Sequence, residues 1–118
     1  MSFESQIKLY VTRLLKVSKK RAKGNGWHFD LDRSWLFSKL EQGVCEASGL
    51  PFELDFKQST RSRLLRSPWG PSIDRLNSNF GYTKENCRVV CTIYNLLKST
   101  GTDAHVEEIC AALIKGKI

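Results

Sequence analysis

The chain has 118 residues and a formal net charge of +7, with 41% hydrophobic residues, 26% charged residues and four cysteines. These proportions are those of a globular protein and exclude a disordered chain, a collagen and a disulfide scaffold. No apolar run approaches the ~18 residues of a membrane span, and Met1-Ser2-Phe3-Glu4 opens without the apolar stretch of a secretory signal, so the expected home is the cytoplasm, where thiols stay reduced.

Residues 3–23 predict a helix. Phe3, Ile7, Tyr10 or Val11, Leu14 and Leu15 recur at spacings of three and four and form one apolar stripe. Lys16, Lys19, Lys20, Arg21 and Lys23 load its last turns. Cations there suit the negative end of the helix dipole; they also suit a polyanion partner. Gly24-Asn25-Gly26 ends the helix. Residues 27–31 read as short and extended. Asp32 then caps a second helix over 33–42, with Trp35, Leu36, Phe37 and Leu40 on its buried face and Gly43 closing it. A turn over 44–52 leads into a brief strand at 52–54.

Residues 57–71 are rich in Arg, Ser, Pro and Gly and read as a loop, with a helical turn around 61–65. Trp69, between Pro68 and Gly70, reads as cover for a core edge or as an exposed stacking residue. Residues 72–76 alternate and predict a strand, 77–81 a turn, and 88–90 a second strand. Residues 92–99 predict a helix with Ile93, Leu96 and Leu97 inward. After Gly101, Asp103 caps a last helix with Val106, Ile109, Cys110, Leu113 and Ile114 on one face, Cys110 in the core, and Gly116 at its end. Charge is uneven along this order: residues 1–26 hold seven bases and one acid, 27–56 two bases and six acids, and 57–75 five bases and one acid. Two basic blocks flanking an acidic one are the footprint of a polyanion-binding surface or of solvated basic faces.

Residues 72–98 run Ser72-Ile73-Asp74-Arg75-Leu76, then Gly81-Tyr82-Thr83-Lys84-Glu85-Asn86, then Val90-Cys91-Thr92-Ile93-Tyr94-Asn95-Leu96-Leu97-Lys98. This strand, loop, strand, helix order resembles the HNH endonuclease family. Upstream, Phe29-Asp30-Leu31-Asp32, Trp35-Leu36, Gly43-Val44-Cys45 and Ser48-Gly49-Leu50-Pro51-Phe52 are similar to the small phage-type HNH proteins. The resemblance implies an α+β fold: a ββα-metal hairpin and helix, braced by two N-terminal helices and a C-terminal helix. One HNH-like domain is expected over 1–118, with a basic helical part at 1–43, the ββα core at 44–99 and a closing helix at 100–118. It further implies that Asp74 and Asn95 hold a divalent cation, Mg²⁺ or else Mn²⁺, and that Asn86 pins the loop by bonding backbone amides. Hard cations want such oxygen ligands, and phosphodiester hydrolysis needs a Lewis acid and an activated water.

Two departures from the family pattern matter. Arg75 stands where the familiar form has its general-base histidine, and arginine cannot accept a proton. It suits a phosphate oxygen instead. Either a cation lowers the pKa of the water enough, or His28 or His105 fills the gap, or the site binds without cutting. His28 adjoins Trp27 and Phe29, which favours a packed aromatic neighbourhood for it; His105 is expected to be exposed. Second, a two-knuckle zinc frame falls on Cys45, Ser48, Cys91 and Tyr94. Two thiols cannot close a tetrahedral site, so no structural zinc is expected, and Cys45 and Cys91 read as neighbouring packed thiols. Arg61, Arg63, Arg66, Arg75, Lys84 and Lys98 are the expected contacts to a duplex DNA backbone, which position without reading sequence. The implied function is a metal-dependent DNA endonuclease or nickase. The alternatives are an HNH-fold DNA-binding module that has lost catalysis, or an accessory factor whose basic blocks meet an acidic protein.

Overall fold

The computed structural model describes residues 2–54 and 67–117. Among them the order is α1 (Phe3–Asn25), α2 (Arg33–Gln42), β1 (Pro71–Arg75), β2 (Cys87–Cys91), α3 (Thr92–Lys98) and α4 (Asp103–Lys115). The architecture is α+β, four helices around one two-stranded antiparallel hairpin. No helix among the described residues is long and apolar enough to cross a membrane.

Local chemistry sets the first two helices. The Ser2 hydroxyl accepts from the Ser5 amide at 3.1 Å to start α1, and Gly26, at φ 68°, supplies the left-handed residue that ends it. Ile7, Val11, Ser18 and Ala22 form its buried seam, while Phe3 is exposed. Ser18 enters that seam because its hydroxyl donates to the Leu14 carbonyl at 2.8 Å. The Asp32 carboxylate accepts from the Trp35 amide at 2.8 Å and caps α2, which buries Leu36 and Leu40.

The hairpin pairs Ile73 with Val89, Asp74 with Arg88 and Arg75 with Cys87. Val89 joins the main core of Ile7, Val11, Leu31, Leu36, Leu40 and Ile73, whereas Val90 turns to a second cluster with Cys45 and Cys91. Both faces of β2 are therefore covered. Burying one such Val contributes roughly 1.5–3 kcal/mol. The connecting loop is held against residues 28–30 by Tyr82, whose amide donates to the His28 carbonyl at 2.9 Å and whose carbonyl accepts from the Asp30 amide at 3.0 Å. A Cβ on Gly81 would lie 2.3 Å from the His28 carbonyl oxygen, so this approach requires glycine.

Four expectations fail here. Residues 52–54 form no strand; the chain here makes only an isolated bridge, Val44 to Pro51, and Pro51 has no amide to extend it. Ile93, Leu96 and Leu97 face outward at 43%, 67% and 51% exposure, because α3 turns Asn95 and Lys98 toward the hairpin instead. In α4 only Val106 is buried; Ile109, Cys110, Leu113 and Ile114 are exposed. Only the first turn of that apolar stripe reaches the body. The cap of α4 is Thr102, whose hydroxyl accepts from the His105 amide while the His105 Nδ1 accepts from the Thr102 amide at 3.1 Å. Asp103 is thereby released for a longer-range role.

Candidate functional site

Asp74 sits on β1 with its side chain directed away from Ile73 and toward α3, as alternation along a strand requires. It is 2% exposed, yet neither carboxylate oxygen is unpaired. Oδ1 accepts from Lys98 Nζ at 3.0 Å and Oδ2 from Arg88 Nε at 3.0 Å. Arg88 is the cross-strand partner of Asp74 in register, and Lys98 comes from the last turn of α3. Lys98 Nζ also donates to the Arg75 carbonyl at 3.0 Å.

Arg88 extends the network outward. Its Nη2 donates to the Asp103 carboxylate, which also accepts from the Tyr94 hydroxyl. Burial opposes the charge on Arg88, but the carboxylates of Asp103 and Asp74 outweigh it and hold its pKa above the ordinary arginine value. Burial and then the adjacent Asp103 charge push Tyr94 up to about 12. Hydrogen bonds from Arg88 and Tyr94 hold the Asp103 carboxyl below its ordinary value. Two carboxylates thus alternate with two buried or half-buried cations.

Asn95 lies one turn before Lys98. Its Nδ2 donates to Ser72 Oγ at 2.8 Å and to the Ile73 carbonyl at 3.1 Å. That fixes the amide across β1 and leaves Oδ1 without a donor among the described residues. Asp74 and Asn95 line one open cleft of about 350 Å³ together with Ser72, Arg75, Thr92 and Ser99. The opposite wall is α1, through Arg13, Leu14, Val17, Ser18 and Arg21. An aspartate oxygen and an amide oxygen are the donor types a hard divalent cation takes, and each carboxylate oxygen keeps a second acceptor site. The donor set fits such an ion, with the Lys98 ammonium as its competitor. Among the described residues no three His, Cys, Asp or Glu side chains converge.

Asn86 holds the loop between the strands. Its Oδ1 accepts from the Asn77 amide at 3.0 Å, and its Nδ2 donates to the Asn77 and Gly81 carbonyls at 3.0 and 2.9 Å. Arg75 lines the cleft but is largely committed. Its Nη1 donates to the Ser78 and Phe80 carbonyls, each at 2.9 Å, and its guanidinium lies 3.8 Å from the centre of the Trp27 ring. Lys84 is paired with Asp32 at 2.6 Å. Lys98, expected at the DNA surface, is instead buried on Asp74. Arg61, Arg63 and Arg66 lie outside the described residues. The His28 side chain is exposed rather than packed among aromatics, and His28 is not among the residues lining the cleft; His105 is exposed and spent on the α4 cap. Trp69 is half-exposed.

The zinc-frame positions do come together. Cys45 and Cys91 are buried in one cluster with Tyr94 packed against it. Burial works to raise Cys45, but hydrogen bonds from the Ser48 hydroxyl and nearby amides, that of Cys91 among them, leave it lowered; burial and the Cys45 charge raise Cys91. Sequence reasoning missed Arg88, Asp103, Arg13 and the burial of Lys98. Arg88 lies on the second predicted strand, but the register that sets it opposite Asp74 comes from the structure.

No family model matches this chain, and no curated protein matches it. The fold is similar to the solved structure of the rare-cutting HNH restriction endonuclease PacI, which perturbs DNA. That likeness has a TM-score of 0.63 at 18% identity and covers 90% of this chain and 78% of the other. The chain has an HNH-type fold.

Proposed function

We propose that this protein is an HNH-type endonuclease or nickase that hydrolyses DNA phosphodiesters with a divalent cation held by Asp74 and Asn95. The supporting observation is that Asp74 on a strand and Asn95 on the following helix line one open cleft whose far wall carries arginines. Mg²⁺ is the expected ion, with Mn²⁺ as a substitute. When bound, it supplies Lewis-acid polarisation of the phosphate and a lowered water pKa. The chain's own residues do the rest. Lys98 and Arg88 hold Asp74 in a single orientation. Ser72 and the Ile73 carbonyl orient the Asn95 amide. Asn86 fixes the loop that anchors Arg75, whose remaining donors face an incoming phosphate. Among the described residues lining the cleft there is no histidine.

A second reading has its own support. Asp74 already carries two protein cations, and Arg75 replaces a base, which suits a DNA-binding module without turnover. Plasmid nicking separates the two. Supercoiled and linear duplex are incubated with Mg²⁺, Mn²⁺ or EDTA, with Asn95→Ala and Asp74→Asn beside the wild type. Cutting that needs the ion and both side chains supports the enzyme. DNA binding without cutting supports the module. Neither binding nor cutting leaves an acidic protein as the partner.

A further inference from the structure

The cleft is more positive than its central aspartate suggests. Asp74 is the only carboxylate among the described residues lining it, and Lys98 and Arg88 neutralise that charge. Arg75 and, across the gap, Arg21 remain to set the potential. A concave site with this balance draws an anion.

Several cations elsewhere have carboxylate partners. Lys8 pairs with Glu4, Lys39 with Glu46, Lys84 with Asp32, and Lys98 and Arg88 with Asp74. The second half of α1 differs. Among the described residues no carboxylate pairs with Lys16, Lys19, Lys20, Arg21 or Lys23. The helix turns about 100° per residue, and this separates the five. Arg21 lies on the cleft-lining flank with Val17 and Leu14. Lys20 stands at the outer edge of the same flank. Lys19 projects from the other side of the buried Ser18–Ala22 seam.

We infer that the cleft-facing flank of α1, with Arg21 at its centre and Lys20 beside it, is a phosphate-binding wall that grips the DNA backbone next to Asp74 and Asn95. Arginine suits this role because its planar fork meets phosphate oxygens in pairs and its charge is permanent. The site rests on the proposed DNA reading but does not need turnover. It also assigns the basic run at the end of α1 two unlike faces: one flank binds phosphate, and the other is solvated charge.

Equilibrium binding of a short labelled duplex in EDTA, over a salt series, tests this. Arg21→Ala and Lys19→Ala remove the same charge from the same helix, and both residues are exposed, so both variants fold; circular dichroism checks it. One lost phosphate contact lowers the slope of log K against log salt by about 0.9, or roughly eightfold in affinity near 0.1 M salt. The expected result is that loss for Arg21→Ala, a smaller one for Lys20→Ala and an unchanged slope for Lys19→Ala. Equal effects of Arg21→Ala and Lys19→Ala would overturn the inference, since only general charge would then be at work. So would a wild type that binds no duplex and instead retains an acidic protein. Arg21-dependent binding by a protein that never cuts upholds the wall and ends the nuclease reading. Cutting with binding indifferent to Arg21 does the reverse.

Discussion

Lys98 closes its ammonium on Asp74 at 3.0 Å, and the two side chains are 3% and 2% exposed. Twenty-four residues separate them in sequence, one on α3 and one on β1. This pair ties the helix to the hairpin and occupies one oxygen of the carboxylate. It behaves as a buried ion pair with a third member, Arg88, on the other oxygen. Taking such ions out of water costs several kcal/mol each, which geometry and hydrogen bonds must offset.

Removing one partner leaves charge without compensation. Lys98→Met is expected to destabilise the fold by about 3 kcal/mol, the lower end for a broken buried pair because Arg88 remains on Asp74. Asp74→Ala strands two cations and costs more, about 4–5 kcal/mol. The double variant Asp74→Ala, Lys98→Met loses less than the summed singles by at least ~0.5 kcal/mol, since the residues share one interaction. Urea denaturation of the four proteins measures this; strict additivity would contradict a coupled pair.

The same substitution changes what the carboxylate can accept. A divalent cation at Asp74 meets the Lys98 ammonium within a few ångströms, where like charges repel by several kcal/mol even at an effective dielectric constant of ~20. Lys98→Met is therefore expected to tighten Mn²⁺ binding at least tenfold, read by paramagnetic resonance of free Mn²⁺ or by calorimetry, with no DNA present. Lys98→Arg, which keeps the charge, leaves affinity low. Unchanged affinity in Lys98→Met places the cation elsewhere.

Much of this arrangement was legible residue by residue, and the boundary is physical. Asp32, Gly43 and Gly26 announce helix ends because caps act within one turn. The alternation around Ile73 and the Val89-Val90 pair announced the hairpin. Failure came where a local rule met a distant partner. Ile93, Leu96 and Leu97 sit at helical spacing and read as an inward face, but Asp74 pulls the opposite face of α3 inward through Lys98. Asp103 reads as a cap, yet Arg88 and Tyr94 claim it and Thr102 takes the cap. Cys110 follows an apolar stripe that runs past the body it was expected to meet.

Asn86 should behave as a staple for the loop. Three hydrogen bonds link it to Asn77 and Gly81, and the loop carbonyls of Ser78 and Phe80 in turn hold Arg75. Asn86→Ala is expected to cost about 2 kcal/mol. Asn86→Asp keeps the acceptor for the Asn77 amide but turns a charged oxygen toward two carbonyls. It should cost at least as much at pH 7 and recover part of the loss once the new carboxyl is protonated. Hydrogen exchange at the Asn77 and Tyr82 amides reports the loosening, and protection unchanged in both variants contradicts the staple.

Acid and base should each dismantle the Asp103 cluster, from opposite ends. Arg88 and Tyr94 depress Asp103 below its ordinary 3.8, so on acidification the unfolded chain takes this proton first. The stability it contributes is complete above about pH 4 and is lost as pH falls through the lower folded value. The stability gap between wild type and Asp103→Asn should be present at pH 7 and shrink as pH falls below about 4. Tyr94 runs the other way. Burial, then Asp103, raises it to about 12, so its contribution is complete below pH 10 and lost as pH rises toward 12. Absorbance at the phenolate band should show one tyrosine ionising late, and Tyr94→Phe should remove that late component. A late component surviving in Tyr94→Phe assigns the shift to another tyrosine.

The thiols offer a map of the core that needs no mutation. Cys87 lies at the end of β2 in the main cluster, and burial pushes it up to about 12. At pH 8 its thiolate fraction is then roughly a thousandfold below that of an ordinary cysteine. Access is closed as well, at 5% exposure. Cys110 is exposed on α4 and should take up iodoacetamide first, at the rate of an unhindered thiol. Cys45 separates the two controls on rate: its pKa is lowered, yet it is only 1% exposed, so if access governs the reaction it labels far behind Cys110 in spite of its more available thiolate. Denaturant should bring all four cysteines to similar rates. Mass spectrometry of quenched time points reads each site separately. Native labelling of Cys87 at the pace of Cys110 would mean that β2 is not enclosed on its Val89 face, and with it would go the packing that holds Asp74 at the cleft.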